Sequence, residues 1–244
     1  MELDHGPPHI WSFWKTLAWA IPLALMAVIS QTIGLLGYLA VWRHFHPEQP
    51  IPLASAVTNG AVLAASLALS APAVILLLVW IVRMTRVPVA DYLALKRPHW
   101  RDIVLGVVAL AIVMAAASGI ATALGKESPS FITDTFTSAA AEGMLPLLLV
   151  SFVILGPLQE ELIFRGFLLP GIAQAIGTWP AILVTAGIWA ISHGQYEWFF
   201  IGEIFAMGVL FGWIRCRSGS TIVPFILHVM VNGTAVVAAA TGTV

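Results

Sequence analysis

The chain has 244 residues, 59% of them hydrophobic and only 9% charged, with a formal net charge of −1 and a mean hydropathy of +0.94. A soluble domain carries roughly 25% charged residues, so this composition excludes an ordinary water-soluble enzyme. No basic patch points to a nucleic acid as partner.

The chain starts MELDHGPPHIWSFWK, acidic and proline-containing ahead of the first apolar run. A cleavable signal peptide has a basic n-region, so the first helix is expected to stay in the mature protein. Four stretches, Thr16 to Trp42, Gln49 to Val82, Ile103 to Gly125 and Ser218 to Val244, contain no Asp, Glu, Lys or Arg. Each exceeds the roughly 20 helical residues that cross a hydrocarbon core of about 30 Å. The predicted fold is all-α, a polytopic integral membrane bundle of about seven or eight transmembrane helices.

The first three spans are expected at 14–42, 59–82 and 103–125. The connector after the second carries Arg83, Arg86, Lys96, Arg97 and Arg101 against Asp91 alone, and the positive-inside rule makes it cytoplasmic. The next connector is acidic on balance, with Lys126 against Glu127, Asp134 and Glu142. Arg215 and Arg217 mark a second cytoplasmic turn, which puts the N-terminus inside and, with seven spans, the C-terminus outside. The remaining apolar stretches are about 144–175, 179–197, 198–214 and 219–241. The stretch 144–175 is interrupted by Pro157, Gly166 and Pro170, so it is either one long tilted helix or a span that bends into an interfacial one. Cys216 is the only cysteine, which rules out an intrachain disulfide. Trp189, Trp198, Phe199, Phe200 and Trp213 read as interface belt and packing.

Ionisable groups in hydrocarbon are rare, face the protein interior and mark function. The C-terminal half holds Glu160, Glu161, Arg165, His193, Glu203 and His228, with Asn232 as a polar companion. Glu161 and Arg165 are spaced i, i+4 and should pair on one helical face, while Glu160, about 100° round, can face elsewhere. His228 and Asn232 are also i, i+4. With cytoplasmic helix ends near 172, 179 and 219, a rise of about 1.5 Å per residue sets Glu160 ~18 Å, His193 ~21 Å and His228 ~14 Å deep. Those depths permit one shared site. A carboxylate beside an imidazole suits a general base for water, and a second imidazole with a carboxamide suits an oxyanion. No serine or cysteine sits in a recognisable nucleophile motif, so direct attack by water on a carbonyl is preferred. Glu203 reads as lining a water cavity or bonding a neighbour rather than as catalytic.

These residues carry a resemblance. EELIFR (Glu160 to Arg165) is similar to the EExxxR motif of the CPBP family, the CAAX-protease and bacteriocin-processing intramembrane peptidases, also called Abi or type II CAAX endopeptidases. WAISH (Trp189 to His193) resembles its FxxxH with Trp in place of Phe, HVMVN (His228 to Asn232) resembles its HxxxN, and GVLFGWIRCRSGSTIVPFILH looks like its glycine-containing run before the last histidine. The likeness covers about 143–235, each motif lying on an apolar helix. It implies N-terminal helices of generic type over 1–142 and a protease core over 143–240, together forming one structural unit.

The resemblance also implies roles. Glu160 with His193 would activate water, His228 and Asn232 would stabilise the oxyanion, and Glu161 with Arg165 would hold the motif helix in a supporting role. A glutamate-type mechanism without cofactor is preferred; the alternative is zinc held by Glu160, His193 and His228. The implied substrate is a membrane-associated or C-terminally processed peptide or protein, CAAX-like or leader-type, met in the lipid bilayer of a bacterial inner membrane. Two other classes fit the buried Glu and His: a proton- or ion-coupled transporter, and a non-catalytic immunity-type relative. Against the first, the chain has no internal repeat; against the second, all four catalytic residues are present.

Overall fold

The structure is a computed structural model and describes residues 10–242, so the expectation about a leader falls largely outside it. Among the described residues the regular structure is helical throughout. Helix α1 is Phe13–Phe45, α2 is Gly60–Arg83, α3 is Trp100–Ala123 and α4 is Phe131–Ala141. A helical run from Leu145 to Ile176 forms α5, followed by α6 (Thr178–Ile191), α7 (Trp198–Ser218) and α8 (Ile222–Thr241). Six of these, all but α4 and α6, are long and apolar enough to cross a membrane. With 14 residues, α6 reaches about 21 Å, short of a full hydrocarbon crossing.

Outward faces agree with a lipid surround. Along α1, Ile21, Leu25, Val28 and Ile33 are all more than half exposed. In water such a stripe invites association, whereas hydrocarbon accepts it without cost. The protein is an integral, multi-pass membrane protein.

The 144–175 question resolves in favour of one long helix with a modified interior. In α5, Leu149–Leu155 and Leu162–Leu168 are π-helical. Pro157 and Pro170 each come two residues after one of these segments. Proline has no N–H to donate and its ring collides with the carbonyl four residues back. A wider turn ahead of it relieves both problems, so the prolines are accommodated instead of ending the helix.

The chain divides into two compact units. The first comprises residues up to Leu23, Leu76–Ala116 and Glu160–Leu227. Its connectors are tied down by polar contacts. The Tyr92 hydroxyl accepts from the Trp11 N–H (3.2 Å), and the Trp11 indole donates to the Ile81 carbonyl (3.3 Å). Thr221 donates through Oγ1 to Leu93 O (2.6 Å) and through its N–H to Ala94 O (3.0 Å). Helix α7 lies on α6 through Gly208 and Gly212, four residues apart. A Cβ at Gly208 would stand 3.0 Å from Ala186 Cβ and Trp189 Cε3, and one at Gly212 would stand 2.9 Å from Ile182 Cγ2. Small residues at this spacing let helix backbones approach closely in a membrane. Beyond α7, Gly219 takes a left-handed φ of 65° and closes the helix with an N–H to Arg215 O.

The second unit comprises Ala24–Ile75, Ala117–Gln159 and the residues from His228 onward. Glu142 accepts from the Tyr38 hydroxyl and the Asn59 amide, each at 2.6 Å. Ala64, Ala139 and Leu148 form a small core against which Leu63, Leu145, Leu147 and Phe152 pack. The Ser151 hydroxyl lies 2.6 Å from Leu147 O and 3.1 Å from Ala64 O, while the Ser70 hydroxyl donates to Gln159 Oε1 (3.4 Å).

Candidate active site

Glu160 and Glu161 close the short α-helical stretch Gly156–Glu161 between the two π-helical segments of α5. Functional side chains recur beside such segments because the extra residue re-aims the positions that follow it. Glu161 and Arg165 pair as their i, i+4 spacing suggests, Nη1 to Oε1 at 3.0 Å, with both side chains almost completely buried. The same guanidinium donates through Nη2 to the carbonyl of Gly208 on α7 (3.2 Å). It also lies over the rings of Trp189, 4.7 Å from the centroid, and Phe211, 5.4 Å away. An ion taken out of water needs hydrogen bonds as well as a counter-charge, and Arg165 has a carboxylate, a carbonyl and three aromatic faces, the third being Phe164 at 5.9 Å.

Glu160 does turn elsewhere. It is half-buried, and its Oε2 accepts a hydrogen bond from the Trp189 indole N–H at 2.5 Å. Trp189 is 2% exposed, so of the two roles read for the cluster, belt and packing, it takes the packing one. A belt tryptophan directs its N–H to the membrane surface, whereas this one spends it on a carboxylate inside the protein. The sequence signal was available as the one departure from FxxxH, since tryptophan has a donor that phenylalanine lacks.

His193 also meets Trp189. Its Nδ1 is 2.8 Å from the Trp189 carbonyl, and the two rings meet edge to face at 5.1 Å between centroids. A carbonyl only accepts, so Nδ1 carries a proton, and in the neutral ring that leaves the lone pair on Nε2. His193 lies just beyond the helix rather than on it. Helix α6 ends at Ile191, and His193 stands in the turn that follows, its N–H bonded to Ala190 O (3.0 Å). The polar and glycine run Ser192–Gln195 contributes little to continuing an apolar helix. Beyond it, the Tyr196 ring stacks on His193 at 6.5 Å. The Tyr196 phenol is pushed up to about 12, chiefly by burial; a hydrogen bond from Gln195 opposes the rise and the negative charge of Glu203 adds to it. Glu203 itself is half-buried on α7.

Glu160, Glu161, Arg165 and His193 therefore gather in the first unit around Trp189. His228 and Asn232 belong to the second unit, on α8. His228 is buried, and half-buried Asn232 donates through Nδ2 to the carbonyl of Phe152, within the first π-helical segment (2.9 Å). A carboxamide has two N–H groups, so one stays outside this bond. Among the described residues, no three His, Cys, Asp or Glu side chains are grouped so as to hold a metal ion.

Comparison with known proteins supports the motif resemblance. Residues 142–234 match the family described as type II CAAX prenyl endopeptidase Rce1-like, which supports the CPBP assignment for this region. The chain is 30% identical over 123 residues to a protein of Escherichia coli described as an uncharacterized 24.3 kDa protein. That similarity covers 49% of this chain and 56% of the relative, so the chain spans little more than half of its length. No solved structure matches.

Proposed function

We propose, from a C-terminal region that matches the type II CAAX prenyl endopeptidases, that the protein is an intramembrane endopeptidase of glutamate type. Its substrate is a membrane-associated or C-terminally processed peptide chain. The observation that supports this most is the joining of Glu160 and His193 through a single residue, Trp189, in an apolar surround. A carboxylate with one oxygen outside that bond and an imidazole with a free Nε2 lone pair can together hold one water by both of its protons.

In this reading the water oxygen attacks the peptide carbonyl carbon while one water proton passes to Glu160. His193 Nε2 accepts the other O–H and aims the lone pair. The carbonyl π electrons move to oxygen, and donors for that oxyanion come from the His228 imidazole and the second N–H of Asn232. That assignment rests on the HxxxN resemblance and on side-chain chemistry. Glu160 then delivers its proton to the departing amide nitrogen, the C–N bond breaks, and a carboxylic acid and an amine leave. Arg165 and Glu161 hold the motif helix against α7 and touch no substrate. The glutamate type is preferred over zinc because the chain has no HExxH pair and the alternative ligands Glu160, His193 and His228 come from three separate segments.

The test uses purified protein in detergent against transmembrane, leader-type and prenylated CAAX peptides, with products read by mass spectrometry. Cleavage that survives a strong chelator and is lost in Glu160→Gln is the expected result. Loss with chelator, restored by zinc, would replace the glutamate mechanism by a metal one. Cleavage by Glu160→Gln at the wild-type rate would overturn the role of Glu160.

A further inference from the structure

Trp189 stands where the resembling family motif has phenylalanine, and it is the residue on which the site converges. Its indole N–H reaches Glu160, its ring lies under Arg165, and its carbonyl receives the His193 proton. The ring also packs on the glycine face of α7, where even a methyl group at Gly208 would press on its Cε3 atom. It is thus fixed in place by close packing, on a stretch of α6 buried at Ala186, Trp189 and Ala190.

We infer that Trp189 is a positioning residue: its N–H selects which Glu160 oxygen acts on water, and its carbonyl selects which His193 nitrogen does. The inference rests on the endopeptidase reading for its catalytic consequence. Its chemistry is simple. A carboxylate on a helix has three rotatable bonds and two equivalent oxygens, and a free one samples many orientations. An indole N–H aimed at Oε2 removes that freedom and leaves Oε1 as the oxygen outside the bond. The indole is a neutral donor, so it orients the carboxylate without adding a charge to that of Arg165, which lies over the same ring. Phenylalanine fills most of the same space but donates nothing. The carbonyl contact is made by the backbone and survives any side-chain change, so the two effects separate experimentally.

Two replacements isolate the N–H. Trp189→Phe deletes it together with part of the ring. Site-specific replacement by β-(3-benzothienyl)alanine keeps the bicyclic shape and puts sulfur where the N–H was. With a peptide that the wild type cleaves, both are expected to lower kcat by about tenfold while KM stays within about twofold, because a misdirected base affects the chemical step and not binding. A purely packing role predicts instead that the benzothienyl protein keeps the wild-type kcat, and that result would overturn the inference. A second readout needs no activity. The indole ¹⁵N–¹H resonance of Trp189, identified by its absence in Trp189→Phe, is expected to shift when Glu160→Gln exchanges a carboxylate for a weaker amide acceptor. An unmoved resonance would sink the inference. A moved resonance in a protein that cleaves no peptide would retire the endopeptidase reading and leave Trp189 as the residue that orients Glu160.

Discussion

Arg165 on α5 donates to the carbonyl of Gly208 on α7 at 3.2 Å, while its other terminal nitrogen holds Glu161 at 3.0 Å. A backbone carbonyl in the middle of a helix is free to accept from outside only where the neighbouring helix comes close. The glycine face that brings α7 near α6 thus also presents the acceptor that a buried guanidinium requires.

Arg165→Ala would leave the Glu161 carboxylate buried without its counter-charge. It is expected to destabilise the protein by about 3–5 kcal/mol, the range for breaking one partner of a buried pair. The double substitution Glu161→Gln with Arg165→Ala removes both charges and should recover a large part of that loss. Thermal unfolding in detergent of the four proteins of this cycle measures the difference. Equal instability of the single and double variants would refute the pairing argument.

Gly208→Ala places a methyl group 3.0 Å from Ala186 Cβ and Trp189 Cε3. Overpacking of this sort costs about 1–3 kcal/mol. The same thermal measurement should show a lowered midpoint, and Gly187→Ala, where an added Cβ meets nothing within 4 Å, serves as the neutral control.

Glu160→Gln retains an acceptor for the Trp189 indole yet removes the base. Its expected signature is a loss of about 10²–10⁴-fold in kcat with an unfolding midpoint close to wild type. A fall in stability matching the fall in rate would point to a structural role for the carboxylate.

Asn232→Asp replaces the N–H₂ that faces the Phe152 carbonyl by a group that only accepts when ionised. Stability should fall more than in Asn232→Ala, which merely removes the bond. In both, kcat is expected to drop by about 10²–10³-fold if the second N–H serves the oxyanion. An Asn232→Ala protein with unaltered kcat would remove it from the mechanism.

Outside the spans, burial pushes the Tyr92 phenol up to about 12, with the Trp11 N–H pulling the other way. The folded chain therefore holds this proton more tightly than the unfolded chain, whose tyrosine titrates near 10. The contribution is complete below about pH 10 and is lost as pH rises from there toward about 12. Unfolding midpoints measured across that window should fall more steeply for wild type than for Tyr92→Phe. Parallel curves would contradict this.

Much of the architecture is legible from composition, because long uncharged stretches leave little choice but membrane helices. The Glu161–Arg165 pair is equally legible, being local and set by the 3.6-residue period. Trp189 is different. Its contact with Glu160 depends on two helices meeting, and an isolated tryptophan in an apolar run has the same appearance whether its N–H faces lipid headgroups or a carboxylate. The end of α6 before His193 is less legible, because it is decided by a four-residue polar run inside a stretch of high average hydropathy. Phe152 left no signal at all, since what it offers Asn232 is a backbone carbonyl that every residue possesses.

The paired π-helical segments of α5 bear on how such a helix tolerates change in chain length. Each segment accommodates an inserted residue relative to an α-helical turn, so a helical wheel drawn through 145–176 with one constant period drifts by about 100° at each of them. Deleting one residue within Leu149–Leu155 would let that turn relax to the narrower form without breaking the helix. Everything before it would then rotate relative to Glu160, with Ser151 and Phe152 carried off their present bonds. A single-residue gap here acts as a twist rather than a truncation, and kinship between such helices is best sought with one gap permitted beside each proline.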